Sequence, residues 1–280
     1  MDAPASRYRL PAAPTMELTA IQLLDAVLIG LVAGVLGGLA GIGGSMVMLP
    51  GLHLVFGEKS DSTHHLYMAA AMTVNVAVAF PAAIRHYRRG VVRKELLPAL
   101  LVTTTIFMVV GVLTGNLVRG DVLRVSLAAF LCLYCAFNIW RLLVNRPVDS
   151  AGERTTRPRL LISGGMTGFV GGVLGLGGGV MLVPALQMLC RVRLKQAIAT
   201  SSAVICVTAL LGAGLKMATL SRHGEPWQDA VLLALAMVPT AMIGGAIGAN
   251  LTHYLPTAAV RAVVTVLLLV AAARLAGLLG

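Results

Sequence analysis

The chain has 280 residues, of which 58% are hydrophobic and only 12% charged, and its formal net charge is +11. A soluble domain carries about 25% charged residues, so this composition excludes an ordinary soluble protein and predicts an all-α polytopic membrane protein. The 31 glycines and the 5% aromatic content favour closely packed membrane helices.

The positive charge does not indicate nucleic-acid binding, because the basic residues fall in short stretches between apolar runs, at 85–94, 145–159 and 191–195. Positive loops are typical of the cytoplasmic side of membrane proteins. We therefore expect a multi-pass protein of the bacterial inner membrane, with the lipid bilayer and a small molecule as partners and no nucleic acid. The sequence leaves open whether it forms a homodimer.

Eight apolar runs follow each other along the chain, and six have the length of one helical crossing, about 20 residues. The first and fifth are longer. As one helix, residues 18–56 would measure about 58 Å, roughly twice the hydrocarbon thickness. Both long runs contain a glycine cluster, which predicts a helix break. The runs fall at 18–56, 66–84, 96–118, 122–144, 160–190, 196–220, 228–251 and 257–279.

A tandem duplication explains the two long runs. GIGGSMVMLPGL at 41–52 aligns without a gap with GLGGGVMLVPAL at 175–186, 134 residues later. If each long run crosses the membrane once, each half has four crossings and the repeats are parallel. If each dips in and returns, each half has three crossings and the repeats are inverted. We predict a tail at 1–17 that is not a cleavable signal peptide, a first membrane repeat at 18–144, a cytoplasmic linker at 145–159 and a second membrane repeat at 160–280.

A helix break at membrane depth exposes backbone N–H and C=O groups, which lipid cannot satisfy. A helix that begins after such a break directs its free N–H groups and positive dipole end into the space before it. Two such helix starts, near Gly44 and Gly178, would form an anion site without a buried lysine, and paired interrupted segments indicate a transporter binding site. The alternative, that the glycines only allow close helix contact, is favoured for the Gly30/Gly34 and Gly164/Gly168 pairs.

Polar residues in the apolar runs complete the candidate site, because hydroxyls and amides bind an oxyanion while remaining neutral. A single membrane Ser or Thr more often bonds its own helix carbonyl, which is the alternative for each of them. The candidate substrate-binding residues are Gly43, Gly44, Ser45, Thr73, Asn75, Gly177, Gly178, Gly179, Thr200, Ser201 and Ser202.

Ionisable groups are scarce in the apolar runs. Asp25 is a candidate for proton coupling, or else an interfacial residue. His53, His64 and His65 lack convincing metal-site spacing, and we expect them in a loop. The four cysteines form no tetrahedral set, so they predict packing, and we expect no catalytic residue, metal or cofactor. No G-x-x-x-x-G-K-[ST] pattern occurs, so no ATP site is indicated.

The sequence resembles the sulfite exporter TauE/SafE family of membrane permeases. The resemblance rests on the Gly-rich motifs with a trailing proline at 41–50 and 175–184, on RHYRRG at 85–90, and on the tandem halves. It implies transport, mostly outward, of anions such as sulfite, sulfoacetate or another organosulfonate, driven by an ion gradient. Family members often have a Thr-Ser pair at the start of both the second and the sixth apolar run. Here the sixth run keeps the pair as Thr200-Ser201, whereas the second run has Ala70-Ala71.

We therefore predict a secondary transporter, in the exporting direction, for a small sulfur-containing anion, working by alternating access around a midplane site formed by broken helices. An importer of the same anions is the alternative within transport. A membrane-integral enzyme is disfavoured because it needs a clustered acid, base, nucleophile or metal set, and the sequence shows none.

Overall fold

The computed structural model describes residues 18–57, 60–144 and 152–255, and five further positions: 262, 265, 266, 269 and 270. The predicted tail at 1–17, half of the predicted linker and most of the last apolar run lie outside the described residues. The described part is helical throughout, without strands. Its helices are α1 Ala20–Ala40, α2 Ser45–Phe56, α3 Thr63–Arg88, α4 Leu97–Gly115, α5 Gly120–Val144, α6 Arg157–Val173, α7 Leu182–Met188, α8 Leu194–Leu220 and α9 Trp227–Tyr254.

Six helical segments are long and apolar enough to cross a membrane: α1, α3, α4, Gly120–Trp140 within α5, α8 with the short turn that follows it, and α9. The chain is therefore a multi-pass membrane protein. The second half starts earlier than predicted, since α6 begins at Arg157, inside the predicted linker. A proline in the first turn of α6 is compatible with this start, because its missing N–H would have no intrahelical partner there.

α1 and α2 form a hairpin. α1 begins with a capping box, in which the Thr19 hydroxyl accepts from the Gln22 amide and the Gln22 side chain accepts from the Thr19 amide. It ends at Gly41 in the left-handed conformation. α2 then runs back along α1. The contacts show this direction: a Cβ on Gly44 would approach Ala33, and one on Gly51, further along α2, would approach Ile29, earlier in α1.

α6 and α7 form a second hairpin. The Arg159 guanidinium, at the start of α6, donates to the carbonyl of Leu189 directly after α7, so α7 returns to the end where α6 begins. A Cβ on Gly171 would meet the backbone of Gly178, just as one on Gly37 would meet the backbone of Gly44. Both long apolar runs therefore fold back on themselves.

The long helices run in two opposite directions. α1 lies parallel to α9, with Gly30 against Met237 and Gly38 against Gly245. α6 lies parallel to α4, with Gly168 against Thr104. α3 runs parallel to α9 and antiparallel to α8. Hence α1, α3 and α9 share one direction, and α4, α6 and α8 share the other. We call the membrane face at the start of α3 face 1 and the face at its end face 2.

Glycines set the helix spacing at two interfaces. A Cβ built on Gly30 or Gly34 would meet backbone atoms of α9, and one on Gly168 would meet backbone atoms of α4. The expectation that these glycines serve close packing is thereby confirmed. Gly164 differs in degree, because its Cβ would meet the Thr103 hydroxyl, which is part of a side chain.

Candidate functional site

The tip of the first hairpin lies level with the middle of α3. Gly43 has φ +78°, a conformation that favours glycine, and turns the chain into α2. The amides of Gly44 and Ser45 both donate to Asn75 Oδ1, at 2.5 and 3.1 Å. The buried Asn75 side chain thus satisfies the two N–H groups that the start of α2 leaves without a helical partner.

Asn75 also binds the tip of the second hairpin. Its Nδ2 donates to the Leu176 carbonyl at 3.1 Å. A Cβ on Gly43 would lie 2.9 Å from Asn75 Oδ1, and one on Gly177 would lie 2.6 Å from Nδ2. The two hairpins therefore enter from opposite faces, and their tips contact opposite ends of one amide.

α8 supplies two further links to the tips. The Ser201 hydroxyl lies 2.7 Å from the Gly41 carbonyl and 3.2 Å from the Gly179 carbonyl, so it bridges both hairpins. The Thr208 hydroxyl lies 3.1 Å from the Gly177 carbonyl. Ser201 and Thr208 are both fully buried. Carbonyls exposed by the breaks thus find neutral hydroxyl donors rather than lipid.

Some predicted site residues lie away from the tips. Thr73 and Ser202 bond the carbonyls four residues earlier in their own helices, at 2.8 and 3.0 Å, as single membrane hydroxyls often do. Thr200 accepts from the Arg93 amide at 3.2 Å, which places it towards face 2. The structure brings the remaining predicted residues to the two tips: Gly43, Gly44, Ser45, Asn75, Gly177, Gly178, Gly179 and Ser201.

The ionisable residues occupy the ends of the helices. Asp25 lies half-buried in α1, six residues after the capping residue Thr19. The expectation that the histidines lie in a loop is wrong: His53 is in α2, and the buried His64 and His65 are in the first turn of α3. Among the described residues, no three His, Cys, Asp or Glu side chains are grouped as metal ligands.

Two buried polar residues were missed by the sequence analysis. Thr208 lies eight residues after the predicted Thr200 in α8, and it belongs to the tip contacts while Thr200 does not. Lys216 is 1% exposed inside the same helix. A lysine within an apolar run was the available signal, because an ionisable residue at membrane depth indicates function.

The tips present neutral polar groups only: backbone amides and carbonyls, the Asn75 carboxamide, and the hydroxyls of Ser45, Ser201 and Thr208. An anion oxygen and Asn75 Oδ1 compete for the same two α2 amides, and the positive end of the α2 dipole favours negative charge there. In the second half, α7 has seven residues, and the backbone around Gly177–Gly179 supplies carbonyls to Ser201 and Thr208.

The family model for the sulfite exporter TauE/SafE matches residues 26–275, which is most of the chain. The chain belongs to this family. The match spans both hairpins, so the features that carried the resemblance all lie inside the family's own domain.

Several curated relatives are named as probable membrane transporter proteins. MamO of Magnetospirillum gryphiswaldense is 27% identical over 84% of this chain, which corresponds to 42% of MamO. YunE of Bacillus subtilis is 25% identical over 89% of this chain and 95% of YunE. A Haemophilus influenzae relative is 26% identical over 85% and 92%. The chain thus spans less than half of MamO but nearly all of YunE. No solved structure matches the chain significantly.

Proposed function

We propose that this family member is a secondary transporter that exports a small sulfur-containing anion, such as sulfite, sulfoacetate or another organosulfonate. The observation that carries the proposal is the meeting of two hairpin tips at mid-depth, from opposite faces, on Asn75 and Ser201. Irregular backbone at this depth serves no purpose in a purely structural bundle, whereas transporters use it to bind ions.

The helix directions support an inverted internal repeat in this proposal. α1, α3 and α4 correspond to α6, α8 and α9, and each pair is antiparallel. In such a repeat, each hairpin opens and closes the path from its own face, which is the geometry of alternating access around a fixed site. The substrate is an anion because the donors are α2 amides and hydroxyls, with no lysine or arginine at the tips.

The orientation follows from the charges of the two faces, under the positive-inside rule. Face 1 carries few basic residues in the described chain, Arg119, Arg124 and Arg222, beside acidic Asp61, Asp121, Glu225 and Asp229. We place face 2 in the cytoplasm of a bacterial cell. The basic residues of face 2 are Arg85, Arg88, Arg89, Arg93, Lys94, Arg154, Arg157, Arg159, Arg191, Arg193 and Lys195.

Proteoliposome flux tests the proposal. Purified protein should move sulfite and sulfoacetate, and should move zwitterionic taurine more slowly, because the tips offer no carboxylate for the taurine ammonium. An imposed pH gradient should accelerate flux if protons are the coupling ion, and Asp25→Asn should remove that acceleration. Anion flux equal to that of protein-free liposomes, for every sulfur anion tried, would refute the proposal.

A further inference from the structure

A buried cationic cluster lies between the hairpin tips and face 1. Lys216 is two helical turns beyond Thr208 in α8, about 12 Å along the helix axis at 1.5 Å per residue. Its Nζ lies 2.7 Å from His65 Nδ1 and 2.6 Å from Asn116 Oδ1. An ammonium has three N–H donors, so these neutral acceptors account for two of them.

No carboxylate of the described residues neutralises this lysine. Within the described chain, no acidic side chain lies within 4.0 Å of Lys216 Nζ, although the side chain is fully buried. A buried charge is costly unless it is paired, so the site favours a partner with negative charge.

A cavity gives access to the cluster. It has a volume of about 410 Å³, opens at face 1, and includes both acceptors of Lys216, His65 and Asn116, in its wall. His223 stacks on His65 with ring centroids 3.9 Å apart, and its Nε2 is buried without a partner. The cavity therefore has room for a small oxyanion and one buried, unpartnered nitrogen, His223 Nε2, while Lys216 lies outside the wall and contacts two of its residues.

The cavity rim also carries acidic groups: Asp61 lies in its wall, and Glu225 accepts from the wall residues Ser60 and Ser62. Asp61 accepts from the Asp121 amide at 2.9 Å, and that hydrogen bond holds the pKa of Asp61 below its usual value. The Arg119 guanidinium, on the same wall, lies 3.7 Å from the Asp61 carboxylate. Arg119 is shared with Asp121, which it contacts at 3.0 Å, so the positive charge at this site comes from Lys216.

Basic residues also occupy the corresponding positions near face 2. The correspondence of Ala71 with Ser201 matches His86 with Lys216 and His65 with Lys195. Gly34 packs on Ala241 as Gly168 packs on Thr104, so Thr104 matches Ala241 and Asn116 matches His253. His86 contacts His253 at 3.1 Å, and Lys195 donates to the His253 carbonyl. The two sets differ in their contacts, because Lys195 binds a backbone carbonyl, whereas Lys216 binds two neutral side chains in the wall of a cavity.

We infer that Lys216, His65, His223 and Asn116 form a second anion-binding site, on the face 1 side of the hairpin tips, for a small oxyanion with the chemistry of sulfite or sulfate. The inference rests on the proposed transport function only in that the anion leaving the tips passes this site. Lys216 supplies the positive charge through the wall residues His65 and Asn116 that it contacts, while His223 Nε2 and Asn116 line the cavity that receives the oxygens.

Anion binding to the full-length protein in nanodiscs tests the inference. The probes are sodium sulfite and sodium sulfate, with sodium chloride at equal ionic strength as the salt control, and the readout is the anion-dependent rise of the thermal unfolding midpoint. Lys216→Gln should raise the half-saturating concentration at least about tenfold, the scale of a lost charge-assisted hydrogen bond. The half-saturating concentration of Lys216→Arg should stay closer to that of the wild type.

Two further variants make the result specific. Lys195→Gln removes the other lysine of α8, whose partner is a backbone carbonyl at face 2, and should leave the half-saturating concentration unchanged. Asn116→Asp places a carboxylate against Lys216 without changing the side-chain volume, so the protein should fold and lose anion binding.

The inference is overturned if Lys216→Gln and Asn116→Asp bind both anions as the wild type does, or if Lys195→Gln weakens binding equally. Flux separates this result from the proposed function. Sulfite flux with binding that does not depend on Lys216 overturns the second site alone. Binding that depends on Lys216, without flux of any sulfur anion, overturns the transport proposal alone.

Discussion

Each hairpin tip is joined to a long helix by one hydroxyl–carbonyl hydrogen bond. In the first half the hydroxyl belongs to the hairpin, and in the second half it belongs to the long helix. In the first half, the Ser45 hydroxyl of the hairpin donates to the Ala71 carbonyl of α3, at 3.3 Å. In the second half, the hairpin residue is Gly179, and the hydroxyl belongs to Ser201 of α8. Ser45 aligns with Gly179, and Ala71 corresponds to Ser201, so these two differences between the halves are two sides of one exchange.

The two halves also differ in the side chain that they contribute where the tips meet. Asn75 from α3 lies between Gly43 and Gly177, and α8 contributes no second amide there. Two related side chains cannot occupy one place on an axis, so a contact at the centre of a repeat must come from one half only. The comparison teaches that the exchange at Ser45 and Ser201 conserves the contact, whereas Asn75 gives the first half a role that the second half lacks.

Gly178→Val should have the largest effect on transport. Gly178 has φ +80°, and a Cβ there would lie 2.9 Å from Met108 Cε, so valine brings backbone strain of about 1–3 kcal/mol and a clash at the second tip. We expect sulfite flux to be abolished while the protein still inserts. Gly214→Val is the matched control, because Gly214 lies in α8 with open space around its Cβ position. Wild-type flux in Gly178→Val would show that the second tip is only a packing element.

Asn75→Asp tests the Asn75 contact to the second tip while keeping its contacts to the first. The carboxylate still accepts from Gly44 and Ser45, but it cannot donate to the Leu176 carbonyl, and its charge repels an anion. We expect initial flux to fall at least about tenfold, the scale of one buried hydrogen bond to a charged group. Asn75→Ala should lose the contacts at both tips and lower the unfolding midpoint as well. If Asn75→Asp transports normally, the link between Asn75 and the second tip has no role.

Moving the hydroxyl tests the exchange in the first half. Ser45→Gly should lower stability by about 1 kcal/mol, since the contact to Ala71 is lost. The double variant Ser45→Gly/Ala71→Ser reproduces the arrangement of Gly179 and Ser201, and it should recover at least half of that loss, with flux reduced no more than severalfold. Additive losses in the double variant, seen in the thermal unfolding midpoint, would mean that the two contacts are not equivalent.

Substitution of the glycines at the helix interfaces should have the smallest effect on transport. Gly164→Ala should cost about 1 kcal/mol of stability, at the low end for overpacking, because the Thr103 side chain can rotate away. Gly34→Ala should cost more, since its Cβ meets the backbone of Ala241. Flux per folded molecule should be unchanged in both, and a loss of flux at full stability would place these interfaces in the transport mechanism.

The amino-acid sequence by itself determined the membrane class and the location of the hairpin tips. Apolar runs of helical length require a bilayer, and clustered glycines between them oppose a continuous helix, so both features follow from local residue type. α1 ends at Ala40 and α6 at Val173, next to the glycine clusters. Gly43, Gly177 and Asn75 could be chosen as candidates from the same local pattern.

Only the tertiary structure decided how these segments use their polar groups. The direction of α2 and α7 depends on contacts with α1 and α6, which no local pattern encodes, so the sequence left crossing and returning segments equally open. Thr73, Thr200, Ser202 and Thr208 are similar hydroxyls in similar apolar surroundings, yet only Thr208 faces a tip. Lys216 gained its meaning from His65 and Asn116, which lie 151 and 100 residues away in the chain. A buried polar group is defined by its partner, and partners at such separations come together only when the helices pack.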